Sequence, residues 1–158
     1  MNIVSNESVF DGKHESTEGI IRLMSRTDFK GKEVIDIGCG SGILTLYAAE
    51  LGAKHITAID FDRRAVENTE ENLKRNNVKN ADVLWTDFME THLKADIIIA
   101  NLPRETAQFC MPKIKDSLND KGRIITSWLN TMPESDLTCG MQIIDRTVGK
   151  DYDCYVIC

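Results

Sequence analysis

Val34-Ile35-Asp36-Ile37-Gly38-Cys39-Gly40-Ser41-Gly42 is the stretch that decides the fold of this chain. A run of Val and Ile that stops at a glycine reads as a buried central strand over residues 33–37. Glycines then fall at every second position, so nothing projects from the backbone at 38, 40 and 42. Residues 43–51 follow as a helix, with Leu44, Ala48 and Leu51 sharing one face. Strand, glycine-rich turn and helix in that order point the N–H groups of the helix start at whatever lies on the turn. A ligand can rest directly on the backbone there.

The next strand, residues 55–59, closes on Asp60. An acid at the end of the second strand of such a unit accepts the hydroxyls of a ribose, so the pair of features predicts an adenosine-containing cofactor. Which cofactor is a matter of spacing and charge. A dinucleotide fingerprint is G-x-G-x-x-G, whereas Ile43 holds the third glycine's place and the glycines here run G-x-G-x-G. Asp36, two residues before Gly38, suits a pyrophosphate badly. It suits an ammonium and a sulfonium well, because a carboxylate binds the one and favours the other. The reading is S-adenosyl-L-methionine (SAM) in preference to a nicotinamide dinucleotide.

Outward from this unit, β-rich and helical runs alternate, the pattern of a parallel sheet with crossover helices. Residues 63–76 form a helix with Ala65, Val66, Thr69 and Leu73 inward, and with Glu70–Lys74 and Glu71–Arg75 as i,i+4 pairs. Residues 82–85 are a third strand. Residues 96–100, nearly all Ile, are a strand covered on both faces that ends at Asn101-Leu102-Pro103. A helix over 105–118 is expected to break near Pro112. Lys121-Gly122 then turns the chain into a strand over 123–128. Residues 141–148 and 152–158 flank Gly149-Lys150-Asp151 and read as an antiparallel hairpin, with no helix expected around residue 136. Ahead of the first strand, a helix capped by Ser16 or Thr17 runs through Arg26, with Ile20, Leu23, Met24 and Thr27 inward. The expectation is a doubly wound, Rossmann-like α/β fold: seven strands, mostly parallel, with an antiparallel C-terminal hairpin. A single domain over 1–158 comprises a lid and N-terminal helix (1–28), a cofactor-binding core (32–128) and the hairpin (140–158).

Length and composition agree with this. One domain is the prior for 158 residues. The mixture of 42% hydrophobic and 28% charged residues is that of a globular protein. Lys and Arg number 19 against 25 Asp and Glu, a net charge of −6, which disfavours nonspecific nucleic-acid binding. Five cysteines without a C-x-x-C pair and three histidines without ligand spacing predict no disulfide framework and no metal site. Cys39 and Cys110 read as small buried residues, and Trp85 and Trp128 as core or pocket wall. No apolar run approaches the ~20 residues of a membrane span, and residues 1–10 lack a signal-peptide pattern. The location expected is cytoplasmic.

Asp36-x-Gly38-x-Gly40-x-Gly42 with Asp60 resembles the cofactor-binding signature of class I SAM-dependent methyltransferases. Thr86-Asp87-Phe88 after the third strand and the C-terminal hairpin extend the resemblance over most of the chain. Residues 34–78 and the upstream "VFDGKHESTEG" are most similar to the methyltransferases that modify ribosomal protein L11, and match their catalytic domain only. That family's separate N-terminal recognition domain is expected to have no counterpart in these 158 residues. The family's upstream segment, approximately F-G-T-G-x-H-x-T-T, folds over the cofactor.

The resemblance implies that Asp36, Gly38, Cys39, Gly40 and Gly42 surround the methionine end, and that Asp60 holds the ribose. Phe61 would lie against the adenine, Asp87 would accept its exocyclic amine, and Phe88 would stand beside it. His14 and Thr17 would belong to the lid, with His14 also a candidate base, and Asn101 would sit where the methyl is transferred. Asn101-Leu102-Pro103-Arg104 differs from the family's Asn-Ile-Leu, and it is not the Asn-Pro-Pro-aromatic motif of amide and adenine methyltransferases. From the chemistry of the residues, the Asn101 side-chain oxygen and the Leu102 carbonyl are a pair of acceptors for an amine. The function expected is methyl transfer to nitrogen of a protein or small molecule. The alternatives are a SAM-binding module that relies on a partner subunit for substrate recognition, and an RNA methyltransferase. No membrane partner is expected.

Overall fold

A computed structural model describes residues 14–131 and 133–158; the lid segment expected before His14 lies outside them. Seven strands form one sheet: β1 (Glu33–Ile37), β2 (His55–Asp60), β3 (Ala81–Trp85), β4 (Ala95–Ala100), β5 (Leu118–Leu129), β6 (Ile143–Thr147) and β7 (Tyr152–Ile157). Their order is β3-β2-β1-β4-β5-β7-β6. The first five are parallel, and β7 runs antiparallel to both β5 and β6. The strand order reverses between β1 and β4, so the loops after these two strands part at the centre of the sheet and leave a crevice.

Both faces of the sheet are covered, as the Ile-rich strands require. Along β4, Ile97 and Ile99 face one core with Ile20, Leu23 and Met24 of helix α1 (Glu15–Met24) and Leu44 and Ala48 of α2 (Ile43–Glu50). Ile98, between them, faces the other core with Cys110, Met111 and Ile114 of α4 (Arg104–Asp116) and Leu137 of α5 (Glu134–Thr138). The period of two along the strand thus supplies two cores. Helix α3 (Arg63–Arg75) packs on β2, β3 and α2.

Several details depart from the expectations. Helix α1 begins before Ser16: His14 is its N-cap, its Nδ1 accepting from Ser16 N at 3.3 Å, while Ser16 and Thr17 are buried inside the first turn. The helix closes at Met24, and Thr27 Oγ1 donates back to Leu23 O at 3.0 Å. Helix α4 runs unbroken through Pro112. Pro112 is exposed, and the Gln108 carbonyl that loses its helical donor is at an exposed residue, while Ala107, Cys110, Met111 and Ile114 keep the other side on the sheet. Strand β5 starts at Leu118, not 123; its pairing with β4 jumps from Ala95↔Leu118 to Ile97↔Arg123 across Lys121, which holds φ +61°. A short helix, α5, forms where none was expected, because Leu137 is fully buried in the second core. Trp128 is buried as expected, but Trp85, on edge strand β3, is 61% exposed and belongs to no core, with the Arg63 guanidinium 5.4 Å over its ring.

Among the described residues, no helix is long and apolar enough to cross a membrane, and no cluster of three or more His, Cys, Asp or Glu has a metal-binding arrangement. The five cysteines are free thiols, with Cys39 and Cys110 buried.

Candidate functional site

The glycine-rich turn is shaped by three positive-φ residues: Gly38 at +72°, Gly40 at +57° and Gly42 at +77°. L-side chains rarely adopt these angles, and at Gly38 and Gly42 a side chain would also crowd its neighbours. A Cβ on Gly38 would lie 2.7 Å from Leu102 Cδ2, and one on Gly42 would lie 2.9 Å from Thr69 Cγ2. The turn hangs from β2, with Gly38 N and Cys39 N both donating to Ile59 O. From α3, Thr69 Oγ1 donates to Gly40 O at 3.1 Å and Asn72 Nδ2 to Ser41 O at 2.8 Å. With these carbonyls held from behind, the loop keeps its open side toward the crevice.

Asp60 joins the turn to the second loop. Its Oδ2 accepts from Gly40 N at 3.1 Å and its Oδ1 from Asp62 N at 2.9 Å. Each carboxylate oxygen retains a further lone pair for a hydroxyl donor. Asp36 is 1% exposed and takes a 2.5 Å hydrogen bond from Thr45 Oγ1. Burial pushes its carboxyl up to about 6, against the Thr45 hydrogen bond, and the neighbouring charge of Asp60 adds to the rise. Asp36 and Asp60 thus make the ground beneath the turn anionic. The Cys39 thiol is raised strongly, first by burial, and stays protonated.

At the end of β4, Asn101 is held from two directions. Its Nδ2 donates to Thr17 Oγ1 of α1 at 3.1 Å, and its Oδ1 accepts from Ser127 Oγ of β5 at 2.8 Å. The amide plane is therefore set by two hydroxyls on separate elements. Across from it, His14 and Tyr152 meet edge to face with ring centroids 5.0 Å apart. His14 Nδ1 also lies 2.9 Å from Ser16 Oγ, so this nitrogen is engaged in capping α1.

A cavity of about 470 Å³ runs between these groups. Of the residues singled out in the sequence, Gly38, Cys39, Gly40, Asp60, Phe61, Asn101, Leu102, His14 and Thr17 line it. Phe61 is 78% exposed at its rim, an apolar ring without a packing partner in the core. Asp36, Gly42, Asp87 and Phe88 lie outside the wall: Asp36 and Gly42 underlie the turn, Asp87 caps a short 3-10 helix by accepting from Met89 N at 2.9 Å, and Phe88 is 4% exposed in the second core. Sequence reasoning missed Ser127 and Tyr152, which also line the cavity. Both had a signal. Thr126 pairs with Ala100, so Ser127 is the neighbour of Asn101 across β4 and β5. Tyr152 opens the reversed strand, which must start where the parallel strands end. Two larger clefts, of about 660 and 610 Å³, border the 76–80 turn, and neither includes a residue from the loops after β1, β2 or β4.

Comparison with known proteins gives this site its lineage. The family model "Ribosomal protein L11 methyltransferase (PrmA)" matches residues 10–135. The chain belongs to this family. Among its relatives, a ribosomal protein L11 methyltransferase of Clostridium perfringens (strain SM101) is 39% identical over 117 residues, 73% of this chain and 37% of the relative. One from Clostridium botulinum (strain Eklund 17B) is 32% identical over 151 residues, 92% of this chain and 48% of the relative. The chain thus spans less than half the length of these curated relatives. A crystal structure of the ribosomal protein L11 methylase of Lactobacillus delbrueckii subsp. bulgaricus superposes with a TM-score of 0.88 at 28% identity, covering 99% of this chain and 84% of that one. At the level of fold alone, magnesium protoporphyrin IX methyltransferase from Synechocystis, solved with SAM bound, matches at a TM-score of 0.70 and 19% identity, covering 87% of this chain and 74% of that one.

The chain is therefore a class I methyltransferase domain of the L11 methyltransferase family, and it shares its fold with a methyltransferase that binds SAM. Its residues fit that cofactor: a side-chain-free cradle at Gly38 and Gly40, an acid with spare acceptor capacity at Asp60, an exposed aromatic face at Phe61, and net negative charge where a cation would rest. The cavity also falls in the size range of small-molecule sites, roughly 300–1,000 Å³.

Proposed function

We propose that this protein transfers a methyl group from SAM to a nitrogen of a protein acceptor, in the cytoplasm. The observation that carries the proposal is Asn101, whose amide is fixed by Thr17 and Ser127 at the wall of the cavity that the glycine turn and Asp60 share. Membership of a family named for a ribosomal protein substrate supports the protein acceptor.

Bound SAM would supply an electrophilic methyl group on a sulfonium, open to in-line displacement. The chain's own work is placement. Asp60 offers its spare lone pairs to the ribose hydroxyls, Phe61 its face to the adenine, and Asp87 its carboxylate to the exocyclic amine, with Phe88 behind it in the core. Gly38, Cys39 and Gly40 form the bed for the methionine end, with Gly42 and the anionic Asp36 beneath it. An incoming amine must be neutral to react, whereas a free lysine titrates near ~10.4, so removal from water inside the cavity favours the reactive form. Asn101 Oδ1 keeps one lone pair beyond the bond from Ser127, and the Leu102 carbonyl is the second acceptor. Two acceptors for the amine's protons leave its lone pair pointing forward at the methyl group, and such orientation supplies most of the rate. His14 belongs to the wall, and its Nδ1 is already engaged with the first turn of α1.

The test is transfer of labelled methyl from SAM to purified ribosomal proteins, by the wild type and by Asn101→Ala. The wild type is expected to label a protein nitrogen. The variant is expected to bind SAM with unchanged affinity and to turn over about 100-fold more slowly. Equal turnover in the two would remove Asn101 from the mechanism, and no labelling of any ribosomal protein by the wild type would overturn the acceptor.

A further inference from the structure

Glu15, the first residue of α1, reaches across to the turn between β6 and β7. The backbone N–H of Lys150 donates to its Oε1, and those of Asp151 and Tyr152 donate to its Oε2 at 3.0 and 3.3 Å. Three consecutive N–H groups converging on one anion form a nest, and they hold the Glu15 carboxyl below the usual carboxylate range. Gly149 makes the approach possible, since a Cβ there would lie 2.7 Å from Glu15 Oε1. The body of α1 needs no such fastening: Ile20, Leu23 and Met24 are fully buried against the sheet. What the nest fastens is the end of the helix that borders the cavity. That end carries His14, Ser16 and Thr17, and the nest itself includes the N–H of Tyr152, the ring against which His14 packs.

We propose that Glu15 is a positioning residue of the methyl-transfer site: seated in the nest on the β6–β7 turn, it fixes the first turn of α1 and, through Thr17 Oγ1, the orientation of the Asn101 amide. The proposal rests on the reading of Asn101 given above. It calls for an acid at this position and not merely a polar side chain. Three N–H donors divided between two oxygens need two acceptors, and a glutamine amide presents one acceptor and one donor.

The experiment follows the Asn101 side-chain amide by ¹⁵N NMR in the full chain, assigned through Asn101→Asp. It compares wild type, Glu15→Gln, Glu15→Ala, Thr17→Val and Glu15→Gln/Thr17→Val, each also titrated calorimetrically with demethylated SAM. In both Glu15 variants the Asn101 amide protons are expected to exchange about tenfold faster with ligand affinity unchanged, as for Asn101→Ala, while the backbone amides of Leu23 and Met24 keep their protection. The double variant is expected to be no looser at Asn101 than Thr17→Val alone, because the two residues act along one path. Wild-type exchange at Asn101 in either Glu15 variant overturns the proposal. So does loss of Leu23 and Met24 protection, which would make Glu15 a general anchor of the helix, and so does additivity in the double variant. A wild type that fails to bind the ligand, with the exchange pattern as expected, leaves the Glu15–Asn101 coupling intact and overturns the cofactor reading instead.

Discussion

Asp36 carries the clearest energetic conflict of any single residue. Its carboxyl ordinarily titrates at 3.8 and is pushed up to about 6, chiefly by burial. Between those values the folded protein holds a proton that the unfolded chain has released, so stability falls as pH rises from about 4 to 6 and stays lower above, by about 3 kcal/mol. A charge kept at such cost, with Thr45 donating to it, is suited to a site that receives a cation. Asp36→Asn keeps an acceptor for Thr45 and removes the cost. Urea unfolding at pH 7.5 is expected to find this variant more stable than wild type by about 1–3 kcal/mol, with the difference gone at pH 4, while SAM binds more weakly. A variant less stable than wild type at pH 7.5 would show that the carboxylate is not strained there. Asp36 and Asp60 stood out in the sequence because each lies at or one residue before the end of a strand, at a fixed distance from the glycines. The raised carboxyl of Asp36 did not, because it depends on how much of the chain covers it.

At the scale of elements, α1 shows how a helix end becomes part of a binding site. Its apolar stripe is readable by spacing, yet its register on the sheet depends on close contacts that spacing does not reveal. Gly19 is one: a Cβ there would lie 2.5 Å from Cys154 Sγ and 3.1 Å from Thr147 Oγ1. Gly19→Ala, favourable in an isolated helix, is therefore expected to lower stability by about 1–3 kcal/mol in thermal or denaturant unfolding. Because Thr17 moves with the helix, the variant is also expected to weaken SAM binding. An unchanged melting temperature would mean that β6 and β7 yield at no cost. Helix α4 makes the converse point. Pro112 reads as a breaker, but the four buried residues of α4 hold the helix to the sheet, so packing outweighs one lost hydrogen bond at an exposed position.

For the whole molecule, the site is a product of strand order. The loops after β1, β2 and β4 come from three separate regions of the chain, and β5 and β7 add Ser127 and Tyr152. A ligand that bridges these loops binds the folded state alone, so it stabilises the molecule by mass action. SAM at about 100 times its dissociation constant is expected to raise unfolding free energy by about 2.7 kcal/mol, and NAD at the same concentration to leave it unchanged. Thermal unfolding with each ligand measures this directly. Equal shifts with SAM and NAD would contradict the spacing and charge argument from Ile43 and Asp36. The net charge of −6 bears on partners at the same scale: it disfavours nonspecific phosphate-backbone binding.

The sequence by itself determined the alternation of strand and helix, the place of the glycine-rich turn, the acid of β2 and the reversed last strand, because each is written in local periodicity, glycine spacing or chain order. Tertiary structure decided what those local rules leave free. It packed Leu137 to create α5, carried α4 through Pro112, left Trp85 exposed on an edge, and brought Thr17 and Ser127 to the two sides of Asn101. The physical reason is range. Propensity and periodicity act over a few residues, whereas the orientation of the Asn101 amide depends on contacts spanning 84 residues to Thr17 and 26 to Ser127, which exist only once the sheet has closed around them.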